Sequence, residues 1–273
     1  MTNEPTTGKP PLIHPRYYSF LADREEDSFE RNGKYVEMEW RVPVHQSALV
    51  LVDVWGWHYL KDTMERVEQI TRERIAPLVT ACRRAGVRVI HAPALRIART
   101  SPYWVGKAAH GAPDSLFPVP RQEWPPKAFL ERSGEYAAFA RKKTPFSKQL
   151  AEDSATKCDF HPLVLPEEGD AVVGTGVELR SLLENEQRLF LFYAGFHNNA
   201  CFLARDYGLI AMQAAGYQPI LLRDCTTAME SAESQAASLQ HEGANQLIEM
   251  FFGVSIDSSE WIAELSKPAS QSI

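Results

Sequence analysis

Short apolar runs alternate with amphipathic segments along much of this chain. The run "SALVLVDVW" at residues 47–55 is continuously apolar until it meets a carboxylate, which is typical of a strand buried on both faces in a parallel sheet. The segment 62–86 carries apolar residues close to helical spacing and ends at Gly86. "VRVIHAP" at 87–93 predicts the next strand, so these residues form one βαβ unit.

The same alternation returns in the second half of the chain. Strand patterns occur at 170–174, 188–195, 217–225 and 253–256, and helical patterns lie between them at 177–187, 199–216 and 230–251. Strands that alternate with amphipathic helices indicate right-handed crossover connections. The sequence therefore predicts an α/β fold, with a doubly wound, mostly parallel sheet and helices on both faces in a three-layer arrangement.

Two segments interrupt this regularity. Residues 1–45 contain prolines, charges and only short apolar pieces, which predicts an N-terminal arm in front of one domain at 46–273. Within that domain, frequent prolines break the periodicity at about 95–165. This stretch is predicted to be an irregular insertion with short helices, of which "YAAFARK" at 136–142 is one.

Charge and cysteine usage narrow the classes of partner. The net charge is −6 and basic residues are scattered among acidic ones, so no footprint for nucleic acid or anionic lipid is present. The 4 cysteines have neither zinc-type spacing nor a disulfide framework. With a polar start and no apolar run of membrane-spanning length, we expect a cytoplasmic protein with a small-molecule substrate, no membrane or nucleic-acid partner, and no cofactor or metal.

Two candidate catalytic groups follow predicted strands. In an open parallel sheet, ligands bind beyond the carboxyl ends of the strands, where Asp53 and Cys201 fall. At the first turn of a predicted helix, Cys201 would face free N–H groups that favour a thiolate. The alternative is a small buried filler, as expected for Cys82 and Cys225, and position alone leaves the two interpretations equal.

Three blocks of the sequence resemble a known family. "ALVLVDVW", "GVRVIHAP" and "AGFHNNACFLARDYGLIAMQAAGYQPILLRDCTT" are similar to the corresponding blocks of the isochorismatase-like cysteine hydrolases, which include nicotinamidases, N-carbamoylsarcosine amidohydrolases and biuret-type amidases. The resemblance covers roughly 45–95 and 165–256. It implies that Cys201 is a nucleophile and Asp53 its catalytic partner. It also implies a cis peptide around Phe196 and His197 that directs backbone N–H groups, at His197 and Ala200, into an oxyanion hole.

The sequence departs from the family at the catalytic lysine. Family members usually carry it after a strand of the "DAVV" type, whereas this chain continues directly to Gly174 and Thr175. Lys143 or Lys148 of "KKTPFSKQL" could replace it from the insertion. We favour the other outcome, in which no lysine is present and Thr175, with Glu178 one turn later, faces the pocket, because the end of a strand is positioned more rigidly than a proline-rich loop.

Magnitudes suggest how such a site would work. Lowering the pKa of a thiol from about 8.5 to about 7 requires roughly 2 kcal/mol, whereas a helix N-terminus supplies about 0.3–1 kcal/mol. A charged Asp53 would also oppose thiolate formation, so it is expected to act as a general base that accepts the thiol proton during attack. The predicted activity is hydrolysis of a small amide, ureide or related C–N bond through a covalent acyl-enzyme. A catalytically altered binding or interaction protein is the alternative, and cleavage of an ether-type bond is a third reading that leaves Cys201 without a role.

Further residues near the site carry weaker expectations. Trp55 and Asn198 are predicted, with Thr175, to contact substrate, although aromatic residues after a strand are equally often packing. His91 is expected to be a satisfied core histidine, since the Asp and two His spacing of metal-binding relatives is missing. Arg205 lies in a helical pattern and is expected to form structural ion pairs. The apolar "EMFFGV" and the N-terminal arm predict a homo-oligomer.

Overall fold

A mixed eight-stranded sheet forms the centre of the protein. The computed structural model describes residues 9–21, 24–106, 124–142 and 145–267. The strands are β1 (Leu12–Ile13), β2 (Arg16–Ser19), β3 (Lys34–Glu37), β4 (Trp40–Arg41), β5 (Ser47–Val52), β6 (Arg88–Ala92), β7 (Ala171–Val172), β8 (Phe190–Phe196), β9 (Gln218–Thr227) and β10 (Val254–Ile256). The sheet order is β3-β2-β10-β9-β8-β5-β6-β7, and β1 pairs separately with β4.

The strands from β5 onward form the parallel part of this sheet. Numbered by their own succession in the chain, they run 3-2-1-4-5-6 from β7 to β10, which is the order of a doubly wound fold. The order reverses between β5 and β8. The crevice at this reversal, beyond the carboxyl ends of the two strands, is where such folds bind ligands.

Helices cover both faces of the sheet. They are α1 (Lys61–Ile70), α2 (Ala76–Ala85), α3 (Leu95–Ala98), α4 (Lys127–Leu130), α5 (Pro145–Lys157), α6 (Gly176–Asn185), α7 (Cys201–Ala204), α8 (Leu209–Ala214), α9 (Leu239–Phe251) and α10 (Ser258–Leu265). Leu49 and Leu51 of β5 share a core with α1, α2 and α10. Val50 and Val52 share the opposite core with α6, α7, α8 and α9. The predicted three-layer α/β fold is confirmed.

The predicted helix at 199–216 is interrupted in the structure. It divides into α7, which ends at Ala204, and α8, which begins at Leu209. A Cβ atom on Gly208 would lie 2.7 Å from the carbonyl oxygen of Phe202 and 2.8 Å from that of Leu203. This turn therefore requires glycine, and it leaves Arg205 with extended backbone angles (φ −61°, ψ 153°) outside any helix.

Other boundaries also differ from the sequence pattern. A π-helical turn at Thr71–Ile75 joins α1 to α2 within the predicted helix, which ends at Gly86 in the left-handed conformation (φ +77°) as expected. Instead of an α-helix at 136–142, a 3₁₀ helix spans Gly134–Phe139. Further 3₁₀ turns occur at Glu25–Asp27, Glu30–Asn32, Val44–Gln46, Pro162–Val164 and Gln235–Ala237.

The N-terminal segment contributes to the central sheet. Strand β2 pairs antiparallel with β10, with Arg16 opposite Ser255, and β3 extends this edge further. The Arg16 guanidinium binds the buried Glu249 carboxylate of α9 at 2.9 Å. Residues that were expected to form an arm thus become the antiparallel edge of the sheet, while the domain boundary near residue 45 stays a prediction.

The described part of the insertion closes over the loop that follows β5. His161 donates its backbone N–H to the carbonyl of Val54 (3.0 Å), and Gly56 donates to the carbonyl of Asp159 (3.1 Å). The described part of the insertion otherwise contains the short helices α3 and α4, a 3₁₀ helix and the 13-residue α5, which is longer than its proline content indicated. Within the described ranges, no helix is both long enough and apolar enough to cross a membrane.

Candidate active site

Two neighbouring strands bring Asp53 and the turn before Cys201 to the same edge of the sheet. Strands β5 and β8 are parallel partners, with Val52 opposite Gly195, and Asp53 is the next residue after β5. A Cβ atom on Gly195 would collide with the Val52 carbonyl, and Gly195 has φ +125°. Glycine is therefore required for the close approach of the strands here. Residues 197–201, which we call the nucleophile turn, follow β8 directly.

The Asp53 carboxylate is buried and held on both oxygens. Its side chain is 3% exposed. Oδ1 accepts the backbone N–H of Ala94 at 2.9 Å, and Oδ2 accepts from Arg205, with Nη2 at 3.2 Å and Nε at 3.4 Å. The backbone N–H of Asp53 donates to the Ala92 carbonyl at 3.1 Å, which ties the residue to the end of β6. These contacts fix the carboxylate beside the nucleophile turn.

Arg205 is the cation at this carboxylate, and the sequence analysis assigned it a different role. We expected helical placement and a structural ion pair, but Arg205 lies in the turn between α7 and α8 and pairs with the candidate catalytic Asp53. Two buried tyrosines anchor this turn: Tyr193 donates its hydroxyl to the Tyr207 carbonyl (2.8 Å), and the Tyr207 hydroxyl donates to the Pro93 carbonyl (2.9 Å). The signal that sequence reasoning missed was Gly208, which ends the helical pattern early enough to redirect Arg205.

Cys201 opens the short helix α7 and is half-buried. Burial raises the pKa of its thiol, the neighbouring Asp53 carboxylate raises it further, and Arg205 partly opposes both effects. The resting side chain is therefore a neutral thiol, and a helix of four residues offers little dipole to change that. An arrangement of this kind needs a base to accept the thiol proton during attack, and Asp53 is the adjacent one.

The nucleophile turn has the backbone form that the family resemblance implied. The peptide bond between Phe196 and His197 is cis. The N–H of Ala200 donates to the His197 carbonyl at 3.0 Å, so it is already occupied, contrary to the expectation that it faces an oxyanion. Among the described residues, the N–H groups of His197, Asn199 and Cys201 donate to no acceptor. These three groups are the available oxyanion donors of the turn.

The Asn198 side chain is hydrogen-bonded to α9, so its hydrogen bonds do not support the predicted contact with substrate. Its side chain is fully buried, and Nδ2 donates to the His241 carbonyl (3.1 Å) and to Oδ1 of Asn245 (2.9 Å) in α9. The next residue braces the turn from another side, because Asn199 exchanges two hydrogen bonds with the backbone of Met229. Both asparagines therefore hold the nucleophile turn in place.

An aromatic cluster lines the side of the site next to β5. Trp55 is 8% exposed, stacks on His58 with ring centroids 4.9 Å apart, and meets His197 edge-on at 5.5 Å. Of the two interpretations of Trp55, substrate contact and packing, packing accounts for most of its surface. Burial, together with His58 and Arg66, lowers the pKa of His197 to about 3, so this imidazole is neutral at ordinary pH.

Thr175 and Glu178 form the cap at the start of α6. Thr175 Oγ1 accepts the N–H of Glu178 at 3.2 Å, which makes Thr175 the helix cap. The Glu178 carboxylate in turn accepts the Gly174 N–H (2.6 Å) and the Trp104 indole N–H (3.2 Å). The predicted pocket role of Thr175 is therefore not supported by its hydrogen bonds, although the residue lies beyond the carboxyl end of β7 as expected.

Of the candidate lysines, Lys148 is not among the described partners of the Asp53 carboxylate. Lys148 is exposed on α5, and Lys143 lies outside the described residues. His91 binds the Asp170 carboxylate through Nε2 at 3.1 Å, as expected of a satisfied core histidine. No group of three or more His, Cys, Asp or Glu side chains that could hold a metal ion occurs within the described ranges.

The fold can be compared with known proteins. No protein-family model and no curated protein matches the chain. A cysteine hydrolase from Pseudomonas syringae pv. phaseolicola is 15% identical, with a TM-score of 0.53, over 83% of this chain and 95% of that chain. An isochorismatase from Pseudomonas putida is 16% identical, with a TM-score of 0.46, over 79% of this chain and 90% of that chain. An isochorismatase family protein from Burkholderia thailandensis is 13% identical, with a TM-score of 0.47, over 82% of this chain and 97% of that chain.

The first of these similarities shows that the chain has the isochorismatase-like fold. The resemblance found in the sequence blocks is thus confirmed at the level of the fold.

Proposed function

We propose that this protein is a cysteine hydrolase that cleaves a small amide, ureide or related C–N bond through a covalent acyl-enzyme. The observation that carries the proposal is the placement of Asp53, directly after β5, and of the turn that carries Cys201, directly after β8, on paired strands where the strand order reverses. A neutral thiol beside a buried carboxylate is the starting state of base-assisted nucleophilic attack. The N–H groups of His197 and Cys201, which donate to no acceptor among the described residues, suit the oxyanion that this attack creates.

The reaction follows from these positions. Cys201 Sγ attacks the carbonyl carbon while its proton passes to Asp53, and the carbonyl electron pair moves to the oxygen, which the N–H groups of His197 and Cys201 stabilise. The intermediate collapses with cleavage of the C–N bond, and Asp53 returns the proton to the departing amine. Asp53 then accepts a proton from water as the water oxygen attacks the thioester. The C–S bond breaks, the acid is released, and the sulfur recovers its proton.

A panel of small primary amides and ureides tests the proposal. Intact-protein mass spectrometry during turnover is expected to detect an adduct on Cys201, and Cys201→Ala is expected to remove both adduct and activity. Cys158→Ala is the matched control, because Cys158 is also half-buried and lies close enough to Asp53 to be influenced by its charge. Turnover that continues undiminished in Cys201→Ala would falsify the proposal.

The alternative of a binding or interaction protein was motivated by the missing lysine. Because Arg205 supplies a cation at Asp53, that motivation is weaker than it was from the sequence. The two functions differ in thiol reactivity. In a hydrolase, alkylation of Cys201 is expected to depend on the neighbouring Asp53 carboxylate. A binding protein with a vestigial site has no need for such a cysteine.

We also propose that the protein forms homo-oligomers and acts on a small molecule without a cofactor. The support for self-association is the exposure of large apolar side chains at and beside the antiparallel edge, with Tyr35 43% and Phe251 59% exposed. Light scattering is expected to give a multiple of the 30.8 kDa chain mass. A mass of one chain at all concentrations contradicts the expectation.

A further inference from the structure

The ion pair between Arg205 and Asp53 links the base of the proposed site to the chain segment that carries the nucleophile. Two N–H groups of the guanidinium contact one carboxylate oxygen, at 3.2 and 3.4 Å. The side chains are only 12% and 3% exposed, so solvent screens the pair weakly. Arg205 is also close enough to lower the pKa of the Cys201 thiol, against the effects of burial and of Asp53. One cation thus acts on both reacting groups.

The backbone delivers Arg205 to this position. In a continuous helix, a residue four positions after Cys201 would lie one turn along the same helix face. Here α7 ends at Ala204, the turn is closed by Gly208, and Tyr207 is hydrogen-bonded at both its carbonyl and its hydroxyl. The guanidinium is consequently presented across the crevice to the end of β5.

We propose that Arg205 is the positioning cation of this site and replaces, from the nucleophile's own turn, the lysine that related enzymes carry after the third strand. The inference rests on the proposed function. When the thiol loses its proton to Asp53, one negative charge moves from the carboxylate to the sulfur, and the guanidinium that binds the carboxylate belongs to the chain segment that carries the sulfur. A guanidinium stays charged at every working pH, so it offsets this charge throughout the cycle and keeps the carboxylate oriented toward the sulfur.

Alkylation of Cys201 by iodoacetamide, followed across pH by mass spectrometry of the peptide that contains it, tests this role. In Arg205→Gln the midpoint of the alkylation profile is expected to move to higher pH, because a cation that lowers the thiol pKa has gone. At a fixed pH below the midpoint, each pH unit of displacement slows labelling about tenfold. Arg205→Lys, which keeps the charge but loses the planar two-point contact, is expected to restore the midpoint in part.

Two further variants separate positioning from structural support. Asp53→Asn is expected to move the midpoint to lower pH, and the double variant Asp53→Asn, Arg205→Gln is expected to lie between the two single variants. Arg96→Gln is the matched control, since Arg96 is also partly buried near this edge but donates to the Cys158 and Ser154 carbonyls. Its alkylation profile is expected to equal that of the unaltered protein.

The outcomes distinguish this inference from the proposed function. A folded Arg205→Gln protein with an unchanged alkylation profile overturns the role of Arg205, even if Cys201-dependent turnover is found. If Arg205→Gln does not fold, Arg205→Lys provides the test. An alkylation profile identical to that of the original protein, together with an unchanged kcat on an amide that is turned over, overturns the assignment of positioning to the two-point contact. If profiles respond as expected but no amide or ureide is hydrolysed, the charge arrangement stands and the proposed function fails.

Discussion

Two buried aspartates in this protein have similar partners and lie at opposite ends of strands. Asp170 immediately precedes β7, whereas Asp53 immediately follows β5. Asp170 accepts from Arg83 (Nη2 at 2.6 Å and Nε at 3.3 Å), from the Glu167 N–H (3.1 Å) and from His91 (3.1 Å). Burial opposes its charge, but the hydrogen bonds of His91 and Arg83 outweigh that effect and hold its pKa at about 2.

The difference between the two lies in the last partner and in the location. Asp53 also has an arginine and a backbone N–H, but its remaining neighbour is the Cys201 thiol, which can give up a proton. Asp53 also faces the crevice where the strand order reverses. An aspartate paired with arginine is therefore not diagnostic of catalysis. The group that shares the carboxylate, and the end of the strand that carries it, decide the role.

Exchange of each carboxylate for an amide is the strongest way to test this contrast. Asp53→Asn is expected to lower kcat by about 10²–10⁴-fold, the usual contribution of a general base. The equivalent Asp170→Asn is expected to leave kcat per folded molecule unchanged. Steady-state kinetics on an amide identified in the panel provides the measurement. Equal losses in the two variants would mean that the comparison assigns the roles wrongly.

For the free energy of unfolding, Asp170 is the aspartate whose exchange is expected to have the large effect. Asp170→Asn removes the buried carboxylate that both Arg83 and His91 bind, leaving Arg83 with the carboxylate of Glu167, and is expected to lower the free energy of unfolding by about 3 kcal/mol. Urea denaturation followed by circular dichroism measures this change. Arg24, which pairs with Asp27 at an exposed position, provides a control: Asp27→Asn is expected to change stability by less than about 0.5 kcal/mol. A neutral Asp170→Asn variant is the contradicting result.

The pH dependence of stability gives a smaller effect. The pKa of Asp170 is about 2 in the folded protein, below the value of about 3.9 expected in the unfolded chain. Its contribution is therefore fully present above about pH 4 and is lost as the pH falls toward 2, by roughly 2 kcal/mol. Between pH 5 and pH 2, the free energy of unfolding is expected to fall less steeply with decreasing pH in Asp170→Asn than in the original protein. Parallel curves would indicate that the carboxylate is not held as described.

The smallest effect concerns the turn that carries Arg205. Tyr207→Phe removes the hydrogen bond to the Pro93 carbonyl and is expected to cost about 1 kcal/mol of stability. Because this bond anchors the turn between α7 and α8, a drop of a few fold in kcat is also expected. Tyr18→Phe, at the edge of the sheet, serves as a control for kcat. Normal kcat in Tyr207→Phe would show that the turn holds Arg205 without this bond.

The main elements of the fold were predictable because their patterns are local. The continuous apolar run of β5 indicated a strand buried on both faces, and all six of its residues are buried. Similar runs indicated β6, β8 and β9, and alternation with helices indicated the parallel sheet. Once the sheet was expected, Asp53 and Cys201 followed as residues at strand ends. The N-terminal strands were missed because β2 and β3 span only four residues each, and they join the sheet only through the pairing of β2 with the distant β10.

The polar residues around the nucleophile were less predictable from local patterns. Asn198 was expected to face substrate, but its partners His241 and Asn245 come from α9, more than forty residues later in the chain. A polar side chain on a turn has several possible directions, and the distant helix that packs against it selects one. Thr175 similarly bonds within its own helix cap instead of the pocket.

Arg205, the cation of the site, shows most clearly which features follow from the sequence alone and which depend on the tertiary structure. Apolar spacing at 199–216 fits a continuous helix, and a single glycine inside such a pattern costs only about 1 kcal/mol relative to alanine. The identities and strand-end positions of Asp53 and Cys201 could therefore be read from the chain itself. The contact of Arg205 with Asp53 could not, because it depends on carbonyl groups crowding Gly208, on Tyr207 reaching Pro93, and on two strands brought together across the 137 residues that separate them in the printed sequence. Such contacts arise from packing between distant segments, which no local pattern encodes.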